Sequence, residues 1–195
     1  MIIGITGSIG SGKTTAANLF AKHGFEVINV DKIYHKLSKP DKLIYKKITA
    51  EFGNQILNKD KSINRDKLKK IVFNNSSKLK KLNSITHPLI VAEIKKLIKK
   101  IKRKNNNVEI IIDAPLLIEA NANDLADKII VVKCDGKIQV LRLLEKKMYS
   151  KSEIKNILKS QMPLKEKLKY ADFIVDNNGS LKYLESQVEE IIYKI

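Results

Sequence analysis

The sequence predicts a three-layer α/β/α fold built on a five-stranded parallel sheet. Five short runs rich in β-branched residues recur along the 195 residues, and helical patterns separate them. The runs cover residues 2–6, 25–30, 108–112, 129–133 and 173–175. Such alternation is typical of parallel sheets, because each parallel connection must cross over the sheet. A glycine-rich loop directly after the first run is the second observation that favours this fold class.

The first run leads into a complete G-x-x-x-x-G-K-[ST] motif at residues 7–14, and a helical pattern follows it. In this setting the glycines let backbone N–H groups surround a phosphate, and the helix N-terminus adds a favourable dipole. We expect Lys13 to reach the β- and γ-phosphates and the Thr14 hydroxyl to ligate Mg²⁺. The motif predicts a nucleoside triphosphate site formed by Gly10, Ser11, Gly12, Lys13, Thr14 and Thr15.

The formal net charge is +17, which raises the question of an anionic macromolecular partner. The excess consists mostly of lysines scattered along the chain. Its densest run, residues 95–104, keeps Leu97, Ile98 and Ile101 at helical spacing. This pattern predicts one amphipathic helix with a solvated basic face. We therefore expect no specific nucleic-acid partner, and anionic small-molecule substrates instead.

Targeting signals are also expected to be absent. No apolar stretch approaches the roughly 20 residues of a membrane span, and no basic leader precedes the first strand. Cys134 is the only cysteine, which excludes an internal disulfide and favours a reducing compartment. The sequence thus predicts a cytoplasmic protein without a membrane partner.

Residues 31–107 separate the second and third runs, far more than one crossover requires. Helical patterns at 42–52, 66–73, 78–85 and 88–103 indicate an inserted helical subdomain, and residues 135–169 form a second, lysine-rich helical insertion. In small-molecule kinases one insertion holds the acceptor and another closes over the triphosphate. We therefore predict one domain over residues 1–195. Its predicted parts are a nucleotide-binding core (1–34, 105–134 and 170–195), an acceptor subdomain (35–104) and a lid (135–169).

Phosphoryl transfer needs a group that orients or deprotonates the acceptor hydroxyl, and Asp31 is the candidate. It follows the second predicted strand, which we expect beside the first. Ligands of open α/β sheets bind outside the carboxyl ends of the strands, so Asp31 would face the γ-phosphate there. The alternative is that Asp31 caps the next helix.

Four further residues have the chemistry of a kinase site. Asp113 ends the third strand and is similar to an aspartate that holds Mg²⁺, although it could be an ordinary strand-terminal residue. Arg65 and Arg142 could clamp phosphates with a planar fork or form surface salt bridges. His87 precedes Pro88, so its backbone is biased toward an extended conformation, and it could bind a phosphate or cap a helix that starts at Pro88.

Motifs along nearly the full length of the chain resemble those of the dephospho-coenzyme A kinase family. The resemblance is carried by the opening motif, a D-x-D-like element at 27–31, Phe52-Gly53, Arg65, L-N-x-I-x-H-P at 82–88, P-L-L-x-E at 115–119, Gln161, and A-D-x-x-x-x-N-x-G at 171–179. The phosphate loop alone is shared by many families, and the later set in this order is much more specific.

The resemblance implies ATP-dependent phosphorylation of the ribose 3′-hydroxyl of dephospho-coenzyme A (dephospho-CoA), the last step of coenzyme A (CoA) biosynthesis. It implies a P-loop kinase that is a monomer or weak homo-oligomer, with Mg²⁺ on Thr14 and Asp113. The implied catalytic residues are Asp31, Lys13 and Arg142. The implied substrate-binding residues are Asp31, Arg65, His87, Pro115 and Leu116, with Asn177 and Gly179 in the ATP site.

Two positions depart from the family pattern. Asn29 replaces the first aspartate of D-x-D, and Lys146 stands where a second arginine often follows Arg142. The competing interpretation is another P-loop nucleotide or nucleoside kinase, which the L-N-x-I-x-H-P stretch disfavours. A GTPase would need an N-K-x-D-like guanine motif after a strand, and the sequence has none.

Overall fold

The structure, a computed structural model, describes residues 1–145 and 149–195. Its strands form one sheet in the order β2-β3-β1-β4-β5, and every neighbouring pair is parallel. The predicted five-stranded parallel sheet is confirmed. The strands are β1 (Ile2–Thr6), β2 (Glu26–Asn29), β3 (Ile110–Asp113), β4 (Lys128–Lys133) and β5 (Phe173–Asp176).

The helices of the described ranges follow the predicted segments closely, with one exception discussed below. They are α1 (Lys13–Lys22), α2 (Val30–Leu37), α3 (Leu43–Phe52), α4 (Arg65–Phe73), α5 (Ser76–Lys104), α6 (Gly136–Glu145), α7 (Lys151–Ser160), α8 (Leu164–Lys167) and α9 (Leu181–Lys194). Among these helices, none joins the length of a membrane span to a sufficiently apolar composition.

The chain divides into two compact units. A sheet-bearing unit comprises Met1–Asn29 and Leu97–Ile195, and a helical unit comprises Val30–Lys96. Residues 30–34 therefore belong to the helical unit and residues 97–104 to the sheet-bearing unit. The sequence led us to expect a helical subdomain over 35–104.

The core of the sheet-bearing unit lies between the sheet and the helices α1 and α9. Alternate β1 residues, Ile3 and Ile5, are fully buried against α1 residues such as Phe20 and α9 residues such as Val188. The Phe20 ring meets Phe25 edge-on at 5.2 Å. This packing holds the start of α1 at the carboxyl end of β1, because the same helix carries both the core face and the phosphate-binding residues.

Two expectations about β2 were wrong. The strand ends at Asn29 because Val30 already begins α2, so Asp31 lies in the first turn of a helix. In addition, β3 lies between β1 and β2. Pairing places Asn29 opposite Asp113 and Asp113 opposite Ile5, so the carboxyl ends of three strands meet at one level.

The helical unit has its own apolar core, to which α3 contributes Ile44, Ile48 and Phe52 at helical spacing. The predicted helix break at Pro88 is wrong, because α5 continues through it. Thr86, Ile90 and Ile94 form one buried face across the proline. Burial of this face outweighs the backbone bond that the proline cannot make, which costs about 3 kcal/mol or more.

The carboxyl end of α5 carries the basic run. Lys95, Lys96, Lys99 and Lys100 are exposed, whereas Leu97, Ile98 and Ile101 are half-buried. The predicted amphipathic helix is confirmed, and its lysines are solvated.

Candidate active site

The phosphate loop joins β1 to α1, and Gly12 is the N-cap of the helix. Gly12 has φ 92° and ψ 20°, a left-handed conformation that favours glycine. A Cβ atom at this position would lie 1.9 Å from Nδ2 of Asn177. Both the backbone conformation and the close approach of Asn177 therefore require glycine here.

Two polar side chains of the loop are buried with it. Lys13 is 8% exposed, and its Nζ donates to the carbonyl of Ser8 at 3.0 Å. Ser11 is 1% exposed. Among the residues that the structure describes, its Oγ is the buried side-chain polar atom for which no hydrogen-bond partner is found. Buried hydroxyls are nearly always paired, so a hydroxyl of this kind in a phosphate loop suits an anionic ligand.

Thr14, Asn29 and Asp113 meet at the ends of the central strands. The Thr14 hydroxyl and the Asn29 amide each donate to Oδ2 of Asp113 at 2.8 Å. Asp113 is 3% exposed. Within residues 1–145 and 149–195, no group of three His, Cys, Asp or Glu side chains could hold a metal ion. One carboxylate beside one hydroxyl fits Mg²⁺, which usually takes few protein ligands together with water and substrate phosphates.

The loop is also supported by Asn177, which follows the edge strand β5. Its Nδ2 donates to the Ser11 carbonyl at 2.8 Å, so the amide binds the backbone of the loop. Gly179, two residues later, is exposed.

Arg142, on α6, lies near the same loop. Its Nη1 is 3.9 Å from the point that a Cβ atom of Gly12 would occupy, and 3.5 Å from Sγ of Cys134. Burial raises the pKa of the Cys134 thiol, and the Arg142 charge opposes this. The structure thus places Lys13, Thr14, Asp113, Asn177 and Arg142 in one unit. Lys146 lies outside the described residues.

Sequence reasoning missed Lys167, the fully buried lysine of α8. Its Nζ lies 2.8 and 2.9 Å from the two carboxylate oxygens of Glu119 and donates to the Pro115 carbonyl at 2.7 Å. Burial lowers the pKa of Lys167, and the Glu119 carboxylate opposes this. The P-L-L-x-E motif pointed to Glu119, Pro115 and Leu116. No local signal distinguishes Lys167 from the other lysines.

In the helical unit the predicted residue Arg65 begins α4 and contacts His35. Its Nη1 is 2.7 Å from Nε2 of His35, and its Nη2 contacts Nδ1. Burial lowers the pKa of His35, the Arg65 charge lowers it further, and Asp31 opposes both. Burial also raises the pKa of Tyr34, against the influence of Arg65. The sequence indicates no functional role for His35, and its contact with Arg65 makes it part of this cluster.

His87 also lies in the helical unit, half-buried inside α5. It is neither extended nor the cap of a helix starting at Pro88, because α5 passes through both residues. Its predicted role in binding substrate stays a prediction.

Comparison with known proteins shows the family to which the chain belongs. The sequence model described as dephospho-CoA kinase matches residues 1–183. The chain is 41% identical to the dephospho-CoA kinase of Fusobacterium nucleatum, over 97% of this chain and 95% of that protein. It is also 41% identical to the Carboxydothermus hydrogenoformans enzyme, over 99% and 93%.

Solved structures agree. A dephospho-CoA kinase from Campylobacter jejuni is 32% identical, with a TM-score of 0.70 over 99% of this chain and 96% of that one. A shikimate kinase from Acinetobacter baumannii shares the fold, with a TM-score of 0.57 at 13% identity over 99% of this chain and 91% of that one. With a phosphate loop, a strand-end aspartate and this full-length similarity, the chain belongs to the dephospho-CoA kinase family of P-loop kinases.

Proposed function

We propose that this kinase transfers the γ-phosphoryl group of ATP to the ribose 3′-hydroxyl of dephospho-CoA, giving CoA and ADP. The observation that supports this proposal most directly is the phosphate loop, in which buried Lys13 and Ser11 lie beside the Thr14–Asp113 pair. In the proposed step the 3′-oxygen bonds to the γ-phosphorus while the bond to the β–γ bridging oxygen breaks. The hydroxyl proton passes to a carboxylate, and ADP leaves.

ATP occupies the loop in this proposal. The backbone of Gly10, Ser11 and Gly12 and the side chains of Lys13, Thr14 and Thr15 bind its phosphates. Asn177 and Gly179 border the rest of the nucleotide. Arg142 stabilises charge on the transferring phosphoryl group, which its position beside Gly12 supports.

Thr14 and Asp113 are the residues that would hold Mg²⁺. Bound there, the ion would offset the negative charge of the β- and γ-phosphates. The Asn29 amide donates to the same Asp113 oxygen, where the family pattern has a carboxylate. This donation fixes the orientation of Asp113 and avoids a second negative charge at the pair.

Asp31 accepts the proton of the 3′-hydroxyl. Its side chain is exposed, and it follows Asn29 by two residues at the carboxyl end of β2. Arg65 and His87 bind the acceptor, with Arg65 suited to a phosphate because its fork can bind two oxygens. Pro115 and Leu116, in the turn after β3, are further substrate-binding residues in this proposal.

We also infer the setting in which the enzyme works. It acts in the cytoplasm as a monomer or weak homo-oligomer, without a specific nucleic-acid or membrane partner. The presence of a single cysteine, which excludes an internal disulfide, supports the reducing compartment in this inference. Residues 135–169 act as the lid, residues 35–104 hold the acceptor, and the remainder binds the nucleotide.

The test is product identification. Purified protein with ATP and Mg²⁺ is given dephospho-CoA, AMP or no acceptor, and the products are identified by mass and by ³¹P NMR. We expect turnover with dephospho-CoA and a new 3′-phosphate monoester signal. Faster turnover with AMP would instead favour a nucleotide kinase.

A further inference from the structure

Two glutamines bind successive peptide groups of the phosphate loop at Ile9. The Ile9 N–H donates to Oε1 of Gln161 at 2.9 Å, and the Ile9 carbonyl accepts from Nε2 of Gln139 at 3.0 Å. Gln139 belongs to α6 and Gln161 follows the end of α7. Both therefore come from the segment 135–169, far along the chain from the loop.

Gln161 acts on the peptide group that joins Ser8 to Ile9. The carbonyl of this group accepts from Lys13 Nζ at 3.0 Å, and its N–H donates to Gln161. The two ends of one planar peptide group are thus held by Lys13 and Gln161. Without the Gln161 acceptor, the Ser8–Ile9 peptide group, whose carbonyl accepts from Lys13, would be held at one end only.

Gln139 acts on the next peptide group, between Ile9 and Gly10. Because a trans peptide carries its N–H opposite its carbonyl, holding the Ile9 carbonyl also fixes the direction of the Gly10 N–H. Gly10 lies close to the same helix, since a Cβ atom there would be 3.0 Å from Cγ of Leu143 and 3.2 Å from the Gln139 carbonyl. Gln139 is 7% exposed, so its amide is held within the packed side of α6.

Gln161 is itself held in place by the buried ion pair. The next residue, Met162, donates its N–H to Oε1 of Glu119 at 3.0 Å, and Glu119 pairs with Lys167. A continuous set of bonds therefore runs from Lys167 through Glu119 and Met162 to Gln161 and the loop.

We propose that Gln139 and Gln161 are positioning residues for ATP binding, which set the two peptide planes at Ile9 without touching the nucleotide. This proposal rests on the binding of ATP by the loop. A side chain that only stabilised the fold would lower stability when replaced, without a selective loss of ATP affinity. A positioning role predicts such a selective loss, and its size depends on polarity, since position 161 must accept and position 139 must donate.

The experiment compares Gln161→Glu with Gln139→Glu by calorimetric titration of Mg²⁺-ATP. The two variants add the same charge, but a carboxylate at 161 can still accept from Ile9 N–H, whereas a carboxylate at 139 faces the Ile9 carbonyl. We expect Gln139→Glu to weaken ATP binding about tenfold more than Gln161→Glu does. Dephospho-CoA binding should change little in either variant.

Asn75→Ala is the control, because it removes one side chain bond to backbone at the start of α5, in the helical unit. Should Gln139→Glu fail to fold, Gln139→Met and Gln161→Met replace the pair, and each should weaken ATP binding about tenfold relative to Asn75→Ala. Equal losses in the two Glu variants, a larger loss in Gln161→Glu, or unchanged affinity in both Met variants would overturn the proposal. Absence of ATP binding by the wild type would contradict the proposed function instead.

Discussion

The phosphate loop of the sheet-bearing unit and the Arg65 cluster of the helical unit are built in opposite ways. Lys13, Ser11 and Asp113 are buried, and the loop backbone accepts from Asn177 and Gln139. Asp31, His35 and Arg65 are exposed. A triphosphate site gains from dipoles fixed in advance, because no reorganisation is then needed when charge develops. The Arg65 cluster, by contrast, has its charged side chains at the surface.

The largest expected effect on the rate comes from a substitution in the phosphate loop. Lys13→Ala should lower kcat by about 10³–10⁵-fold, if its contribution is comparable to that of an arginine finger on the transferring phosphoryl group. Steady-state rates with dephospho-CoA measure this. Lys22→Ala, at the far end of the same helix, is the matched control, since Lys22 is exposed and pairs only loosely with Glu185 at 3.5 Å. Near wild-type rates in Lys13→Ala would remove the basis of the proposed donor site.

The next prediction addresses the acceptor side. Asp31→Asn should lower kcat by roughly 10²–10⁴-fold, the usual contribution of general-base catalysis, with ATP affinity nearly unchanged. Asp41→Asn is the control, because Asp41 is exposed in the same unit and has a left-handed φ of 66° that asparagine tolerates. A loss of thermal stability without a loss of rate would mean that Asp31 only stabilises the start of α2.

A third prediction compares a buried with a surface ion pair. Lys167→Met should reduce the free energy of unfolding by about 3 kcal/mol, because Glu119 is left partly buried without its partner. Lys169→Met, whose Glu166 pair is exposed, should cost less than about 1 kcal/mol. Denaturant titration measures both. Adding Glu119→Leu to Lys167→Met should recover part of the loss, and equal costs of the two lysine substitutions would contradict the role of burial.

The smallest effect concerns pH and the helical unit. The pKa of His35 is lowered in the folded state, so the unfolded chain binds the proton first as pH falls below about 6.5. Stability from neutral His35 is therefore present above that pH and is lost as pH falls through the folded pKa. Tm between pH 7.5 and 5.5 should fall less in His35→Gln than in the wild type. His23→Gln, in the sheet-bearing unit, controls for removal of a histidine, and identical slopes in all three proteins would contradict the assignment.

Much of the sheet-bearing unit was predictable, because local patterns encode it. The β-branched runs and the glycine-rich loop specify their own conformations, and the parallel pairing of the sheet brings Asp113 beside Thr14. The continuous α5 was not predictable from Pro88, since burial of Ile90 and Ile94 decides it. The order β2-β3-β1 was not predictable either, because strand pairing sets it and no local pattern encodes which strands pair.

The missed residues share one physical property. Lys167 and Gln139 acquire their roles through partners far along the chain, Glu119 and Ile9. The residues that flank a lysine do not reveal whether it is buried, and this chain is rich in lysines. Gln161 was singled out only by the family resemblance, which carries tertiary information that spacing alone does not.

The central claim is that the two regions bind different substrates, and direct titration tests it. ATP with Mg²⁺ and dephospho-CoA are each titrated into the wild type, Lys13→Ala and Arg65→Ala. We predict that Lys13→Ala loses ATP affinity and keeps dephospho-CoA affinity, whereas Arg65→Ala does the reverse. Loss of ATP affinity in Arg65→Ala with unchanged dephospho-CoA affinity would contradict the claim that the two regions bind different substrates.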